Sequence, residues 1–175
     1  MRVTLATPAD LDSIMELYFE AADAMEGTPH DCCWRRDGHP SPEFVGGLVA
    51  TGSMLIAMEG DELIGAVGID HDLGHDYGEL AWLTCADDEQ VAVLHLLVVK
   101  KAWRGRGLSR ELLHVSLNEA RARGMLTARL DATANNAPAI ALYESEGFVI
   151  VGADSIDVGM PDKPTVPFVV MERLL

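Results

Sequence analysis

The chain is short of cysteine, of positive charge and of long apolar runs. Cysteine occurs 3 times in 175 residues, with Cys32 and Cys33 adjacent and Cys85 alone. An odd number cannot close a full disulfide framework, and no C-x-x-C pair offers a zinc site. The thiols read as reduced structural or surface groups. No apolar run approaches the length of a bilayer span, and the opening Met1-Arg2-Val3-Thr4 lacks the apolar stretch of a signal peptide. These absences point to a cytoplasmic chain with no membrane partner. Lys and Arg number 13 against 28 Asp and Glu, for a net charge of −15. Such a surface repels phosphate backbones and argues against nucleic acid as a partner, while it suits a cationic substrate. No internal repeat, low-complexity tract or linker divides the sequence, and its length suits one domain with its own core.

What is present alternates between strand and helix. Val3 to Ala6 reads as a strand, and Thr7-Pro8-Ala9-Asp10 opens a helix with a capping threonine and a proline at its first position. Leu11, Ile14, Met15, Leu17 and Tyr18 continue it at helical spacing. Gly27 to Pro40 is polar and irregular. Ser41-Pro42-Glu43 opens a second helix that stops at Gly52. Met54 to Met58 and Leu63 to Ile69 read as strands joined by Gly60-Asp61. Asp70 to Gln90 reads as loop and extended chain, and Val91 to Val99 as a central apolar strand. A helix over Leu108 to Arg123, a strand over Leu126 to Ala132, and a helix over Pro138 to Glu146 follow. Phe148 to Val151 and Val166 to Leu174 read as strands, the last closing the sheet. The pattern predicts a mixed α/β fold with helices on both faces of a twisted sheet.

The most informative stretch runs from Leu96 to Arg110. A buried strand enters a turn with Gly105 and Gly107, then an amphipathic helix. Glycine permits tight geometry and close approach of a ligand. The free N–H groups of the helix's first turn favour an anion such as phosphate. Arg104, Arg106 and Arg110 add positive charge. An ordinary strand-to-helix turn with solvated arginines is the plainer reading. It is neither a Walker loop nor the G-x-G-x-x-G fingerprint, since Arg110 stands where a third glycine belongs.

The stretch Arg104 to Ser109 resembles the Q/R-x-x-G-x-G/A pyrophosphate motif of the GNAT acetyltransferase superfamily, with Ser109 at the final position. Asn136 to Phe148 is similar to that family's N-x-x-A-x-x-L-Y-x-x-x-G-F block, and Arg2 to Leu11 to its usual opening. The resemblance implies a mostly antiparallel sheet with a parallel central strand pair, and a single acetyltransferase domain over residues 1–175. It implies acetyl-CoA as co-substrate and an amine acceptor. The backbone of Leu97, Val98 and Val99 would hold the pantetheine arm as an added strand. The turn from Gly105 through Arg106, Gly107, Leu108 and Ser109 to Arg110 would hold the pyrophosphate, and Asn136 the arm near the downstream helix.

Amine acetylation needs a neutral amine, a stabilised oxyanion and a proton for the leaving thiolate. The resemblance gives the proton to Tyr143, a phenol that is protonated at neutral pH; packing against the sheet is its other reading. Asp131 stands where some relatives carry a glutamate base, and could equally cap the following loop. His95 and Glu79 are further candidates, His95 reading first as a core histidine. Asp70-His71-Asp72 and His75-Asp76 could ligate a divalent ion, but such loops are more often solvated, so no metal is expected. Ala24 to Pro40, Asp70 to Gln90 and Asp154 to Pro167 should form the acceptor pocket, with Trp34, Tyr77 and Trp82 able to line it. An acyl-CoA-binding module without catalysis is the alternative reading. An apolar final strand at a sheet edge would favour a homodimer.

Overall fold

The structure, a computed structural model, describes residues 1–75, 77, 79–159 and 165–175. Strand β1 spans Arg2–Leu5. A single turn of 3-10 helix at Pro8–Asp10 leads into helix α1, Leu11–Met25. Asp10 accepts from both the backbone and the hydroxyl of Thr7, at 2.8 and 2.7 Å. Helix α2, Pro42–Ala50, starts on Ser41, whose hydroxyl accepts from the N–H of Phe44. Strands β2 (Met54–Glu59), β3 (Glu62–Asp70) and β4 (Val91–Val99) follow. Next come helix α3 (Leu108–Ala122), strand β5 (Thr127–Thr133), helix α4 (Ala137–Ser145) and strands β6 (Val149–Ile156) and β7 (Val166–Leu174).

Among the described residues the strands form one sheet of seven in the order β1-β2-β3-β4-β5-β7-β6. Every neighbouring pair is antiparallel except β4 and β5, which run parallel. The expected fold class is present. One expectation is corrected. β7 lies between β5 and β6, so its apolar side chains, Val170 and Met171 among them, are interior. The edges are β1 and β6, and the argument for a homodimer from an apolar terminal edge falls away. β6 also extends to Ile156, beyond the expected end at Val151, because β7 pairs with it out to Val166↔Ile156.

Helices cover both faces. Leu112, Leu113 and Leu117 of α3 and Tyr143 of α4 pack with Ala128, Leu130 and Ala132 of β5. On the opposite face Ile14, Leu17 and Tyr18 of α1 and Val45 and Leu48 of α2 pack with Ile56, Ala66 and Val98. The remaining surface of that second face, over β6 and β7, is covered by the segment after β3. There Tyr77, Leu80 and Trp82 pack on Val151 and Val170. A Cβ on Gly152 would lie 2.3 Å from Leu80 Cδ2, so only glycine admits Leu80 there.

Candidate active site

The parallel strands pair over three positions, Val91↔Thr127 to Val93↔Arg129. Beyond these, β5 keeps its partners on β7 and β4 keeps its partners on β3. The two strands therefore part, and the facing edge of β4 carries backbone groups without a strand partner. A bulge shapes this edge. Ala66 pairs with Val98 and Gly68 with His95, so Val67 alone opposes Leu96 and Leu97. Leu96 sits at φ 57°, and the buried Tyr18 hydroxyl donates to its carbonyl at 3.0 Å. The Lys100 N–H donates across to Ile64 O at 2.9 Å. Antiparallel alternation then turns the backbone of Val98 toward β3 and that of Leu97 and Val99 toward the opening.

The turn after β4 has open space beside its two glycines. Gly105 and Gly107 have φ of 76° and 82°, the left-handed region that side chains disfavour. A Cβ on either would meet nothing within 4 Å, so the space beside the turn is empty of protein. Gly107 caps α3, and the first intrahelical bond is from Glu111 N to Gly107 O. The amides of Leu108, Ser109 and Arg110 are thus left without intrahelical partners. The arginines divide. Arg104 Nε donates to Val99 O at 3.0 Å and splints the turn. Arg106 stacks on Trp103, 4.8 Å from ring centre. Arg110 joins α3 to α4 through Glu146, at 2.6 Å, and Ser145.

Asn136 is the N-cap of α4, and its side chain makes no capping bond. One turn of chain earlier, Thr133 Oγ1 is buried without a hydrogen-bond partner among the described residues. An open strand edge, free amides at a helix start, and unused polar groups on the β5–α4 connection fit a ligand with amides along its arm and phosphates at its end.

The titratable groups gather at the mouth of the opening. Tyr143 is 8% exposed and tilts against Phe148. Its hydroxyl makes no hydrogen bond among the described residues. Burial raises its pKa, and Asp131 and Cys32 raise it further, so the phenol stays protonated. Asp131 lies on the opposite face of β5 from Leu130 and accepts a hydrogen bond from the Tyr77 hydroxyl. Burial raises the pKa of its carboxyl, and the Tyr77 bond and the charges of His95 and His75 act against that rise. His95 Nε2 is 2.8 Å from Asp70 Oδ1. Tyr143, Asp131 and His95 thus lie near one another, Asp131 acting on the pKa of Tyr143 and His95 on that of Asp131, while Glu79 is exposed.

Sequence reasoning missed how the long connections are pinned. Asn135 Nδ2 donates to Asp31 O at 3.0 Å, and His30 Nδ1 lies 3.1 Å from Asn135 O. These bonds draw the α1–α2 connection over the end of β5. The paired asparagines at 135 and 136 are the signal in the sequence for this fastening. Trp34, within this connection, packs edge-on to Tyr18. Trp82 is occupied, lying 3.8 Å over the Arg129 guanidinium, whose Nε bonds the fully buried Glu172. Glu172 also accepts from Thr127 and from the N–H of Leu83. The same carboxylate therefore ties the segment after β3 to the sheet. In the Asp70–Asp76 segment, Asp70 serves His95, and His71 Nδ1 bonds Val91 O at 2.7 Å. No metal-ligating cluster of three occurs among the described residues, and Asp76 lies outside them. Residues 160–164 of the expected pocket loop also lie outside them.

Residues 11–148 match the model of the acetyltransferase (GNAT) family. A [ribosomal protein bS18]-alanine N-acetyltransferase of Salmonella typhimurium is 46% identical over 57 residues, which cover 33% of this chain and 38% of that relative. A mycothiol acetyltransferase of Streptomyces bingchenggensis is 32% identical over 73 residues, 42% of this chain and 24% of the other. The chain therefore spans well under half the length of these curated relatives. The fold is similar to that of a ribosomal-protein-alanine N-acetyltransferase from Brucella melitensis, at TM-score 0.72, 22% identity and full coverage of both chains. It is also similar to yncA of Salmonella typhimurium, solved with its cofactor acetyl-CoA, at TM-score 0.73, 20% identity, and coverage of 100% and 94%. No helix among the described residues is long and apolar enough to cross a membrane.

Proposed function

Because the chain belongs to the acetyltransferase (GNAT) family, a family of acyltransferases, we propose that residues 1–175 act as one N-acetyltransferase domain that moves the acetyl group of acetyl-CoA to a primary amine. The observation that carries this reading is the parting of β4 from β5 beside the Gly105–Gly107 turn. Leu97 and Val99 offer the pantetheine arm a strand edge. The amides of Leu108, Ser109 and Arg110 receive the pyrophosphate at the helix start. Asn136 and Thr133 supply further polar contacts along the arm. Cys32, Cys33 and Cys85 form no disulfide among the described residues, which suits a reducing, cytoplasmic setting.

The amine approaches from the face that carries Asp131. The thioester carbon sits between that carboxylate and Tyr143. Asp131 accepts a proton from the nitrogen as the C–N bond forms. Tyr143 gives its proton to the departing sulfur as the C–S bond breaks. Desolvation suits both roles, since it keeps the phenol protonated and strengthens the carboxylate as a base. The acceptor is a cationic amine of a small molecule or a peptide. The bS18-alanine N-acetyltransferase relative makes peptide N-termini a natural part of the first panel.

The test is product formation. The protein, acetyl-CoA and a panel of polyamines, amino acids, aminoglycosides and peptides are incubated, and the amines are examined by mass spectrometry. At least one amine should gain an acetyl group, and acetyl-CoA alone should raise the melting temperature. Stabilisation without transfer to any amine would assign the chain to acyl-CoA binding instead.

A further inference from the structure

The stoichiometry of acetyl transfer leaves one proton without a receiver. A primary amine arrives in water as an ammonium group with three N–H bonds, and the amide product retains one. Two protons must leave nitrogen. Asp131 accounts for one of them.

His95 is placed for the other. Its position is set by register. Val93↔Arg129 is the last paired position of β4 and β5, so His95 and Asp131 each stand two residues past it, across the opening from one another. They also share a face. Leu94 and Leu130 pack into the core on the α3 side, so the alternating neighbours His95 and Asp131 turn to the other face. The bulge comes after His95 and leaves this count intact. Gly68 holds the same spot clear. A Cβ there would meet Leu48 at 2.8 Å and His95 Cβ at 3.3 Å.

The imidazole is also oriented. Nε2–H donates to Asp70 Oδ1, with side chains 14% and 26% exposed. Phe44 of α2 meets the ring edge-on at 5.7 Å. The bond to Asp70 fixes the tautomer and leaves Nδ1 with its lone pair. The charged and titratable groups around it are Asp70 on β3, His39 before α2, Asp131 on β5, and His75 and Tyr77 after β3.

We propose that His95, oriented by Asp70, is a second proton acceptor of the reaction and removes the first proton from the incoming ammonium group. This step rests on the acetyltransferase reading. Nδ1 takes a proton from R–NH3+, and the freed lone pair forms the C–N bond. The nitrogen, now more acidic than a free ammonium, gives its second proton to Asp131. The C–S bond breaks with its electron pair on sulfur, which takes the Tyr143 proton. The proton on Asp131 restores Tyr143, and the proton on His95 passes to solvent. Ammonium plus thioester thus becomes amide, thiol and one released proton. His95 is catalytic in this scheme and Asp70 is a positioning residue.

The experiment measures kcat/KM against pH for wild type, His95→Gln and Asp70→Asn with an amine that wild type acetylates. His95→Gln should lose about 10²-fold or more at neutral pH and keep the acetyl-CoA-induced rise in melting temperature. Its activity should recover by roughly tenfold per pH unit on the alkaline side, where the amine neutralises itself. Asp70→Asn should lose less, through kcat with the KM for acetyl-CoA unchanged, because its amide holds the Nε2–H less firmly than a carboxylate does. An undiminished His95→Gln variant with the wild-type pH profile would overturn the proposal. So would a loss that no pH restores. Should His95→Gln fail to fold, an undiminished kcat in Asp70→Asn overturns it alone. Failure of wild type to acetylate any amine would instead sink the acetyltransferase reading, and this step with it.

Discussion

In the proposed reaction Tyr143 supplies the leaving-group proton from a single hydroxyl. Tyr143→Phe keeps the ring against Phe148, so fold and acetyl-CoA affinity should hold while turnover falls by about 10²–10⁴-fold. Steady-state rates beside a binding isotherm check this, and full turnover would leave Tyr143 a packing residue. Asp131 makes a different trade. Burial raises its carboxyl pKa above that of an unfolded chain, so the folded state binds the proton more readily. The stability this group contributes is present at low pH and is lost as pH rises through the raised value. Asp131→Asn keeps an acceptor for Tyr77 and removes the charge. It should melt higher than wild type at neutral pH, with the gap closing on acidification, and it should be slow at acetyl transfer. A lower melting temperature at neutral pH would show that the ionised carboxylate stabilises the fold.

Two kinds of element build the site, and they were not equally legible. The turn at Gly105 and Gly107 and the block from Asn136 to Phe148 were readable because local chemistry fixes them. Glycine marks the left-handed turn, and the Asn136–Pro138 start marks a helix. The edge that those elements border was not readable. It depends on the bulge at Leu96, held by a hydroxyl from Tyr18, 78 residues earlier in the chain. Likewise no local pattern says that Asn135 fastens the α1–α2 connection, or that Glu172 fastens Leu83. The segment after β3 has a sensitive point at Gly152, where any Cβ meets Leu80. Gly152→Ala should push Leu80 off β6 and loosen the segment bearing Tyr77. Acceptor KM should rise several-fold with acetyl-CoA affinity unchanged, as initial-rate kinetics varying each substrate would show. Equal loss of affinity for both substrates would mean that Leu80 supports the sheet rather than the acceptor side.

At the scale of the molecule the proposed reaction would place its two substrates on opposite sides of the sheet. Helices α3 and α4 and the glycine turn attend one side of the opening, and α1, α2 and the segment after β3 attend the other. Alternating element types were enough to predict helices on both faces of the sheet. The place of β7 was not, because an apolar strand reads the same in the middle of a sheet as at an uncovered edge. The central claim is that acetyl-CoA lies in the β4–β5 opening with its phosphates on the α3 start, and that an amine takes its acetyl group there. The most direct measurement is release of the CoA thiol, with and without amine, in wild type and Gly107→Val. Valine would be strained at φ 82° and would fill the open side of the turn. The account predicts amine-dependent release in wild type, and in Gly107→Val a sharply raised KM for acetyl-CoA or no release. Equal release in both proteins, or release that no amine accelerates, would contradict it.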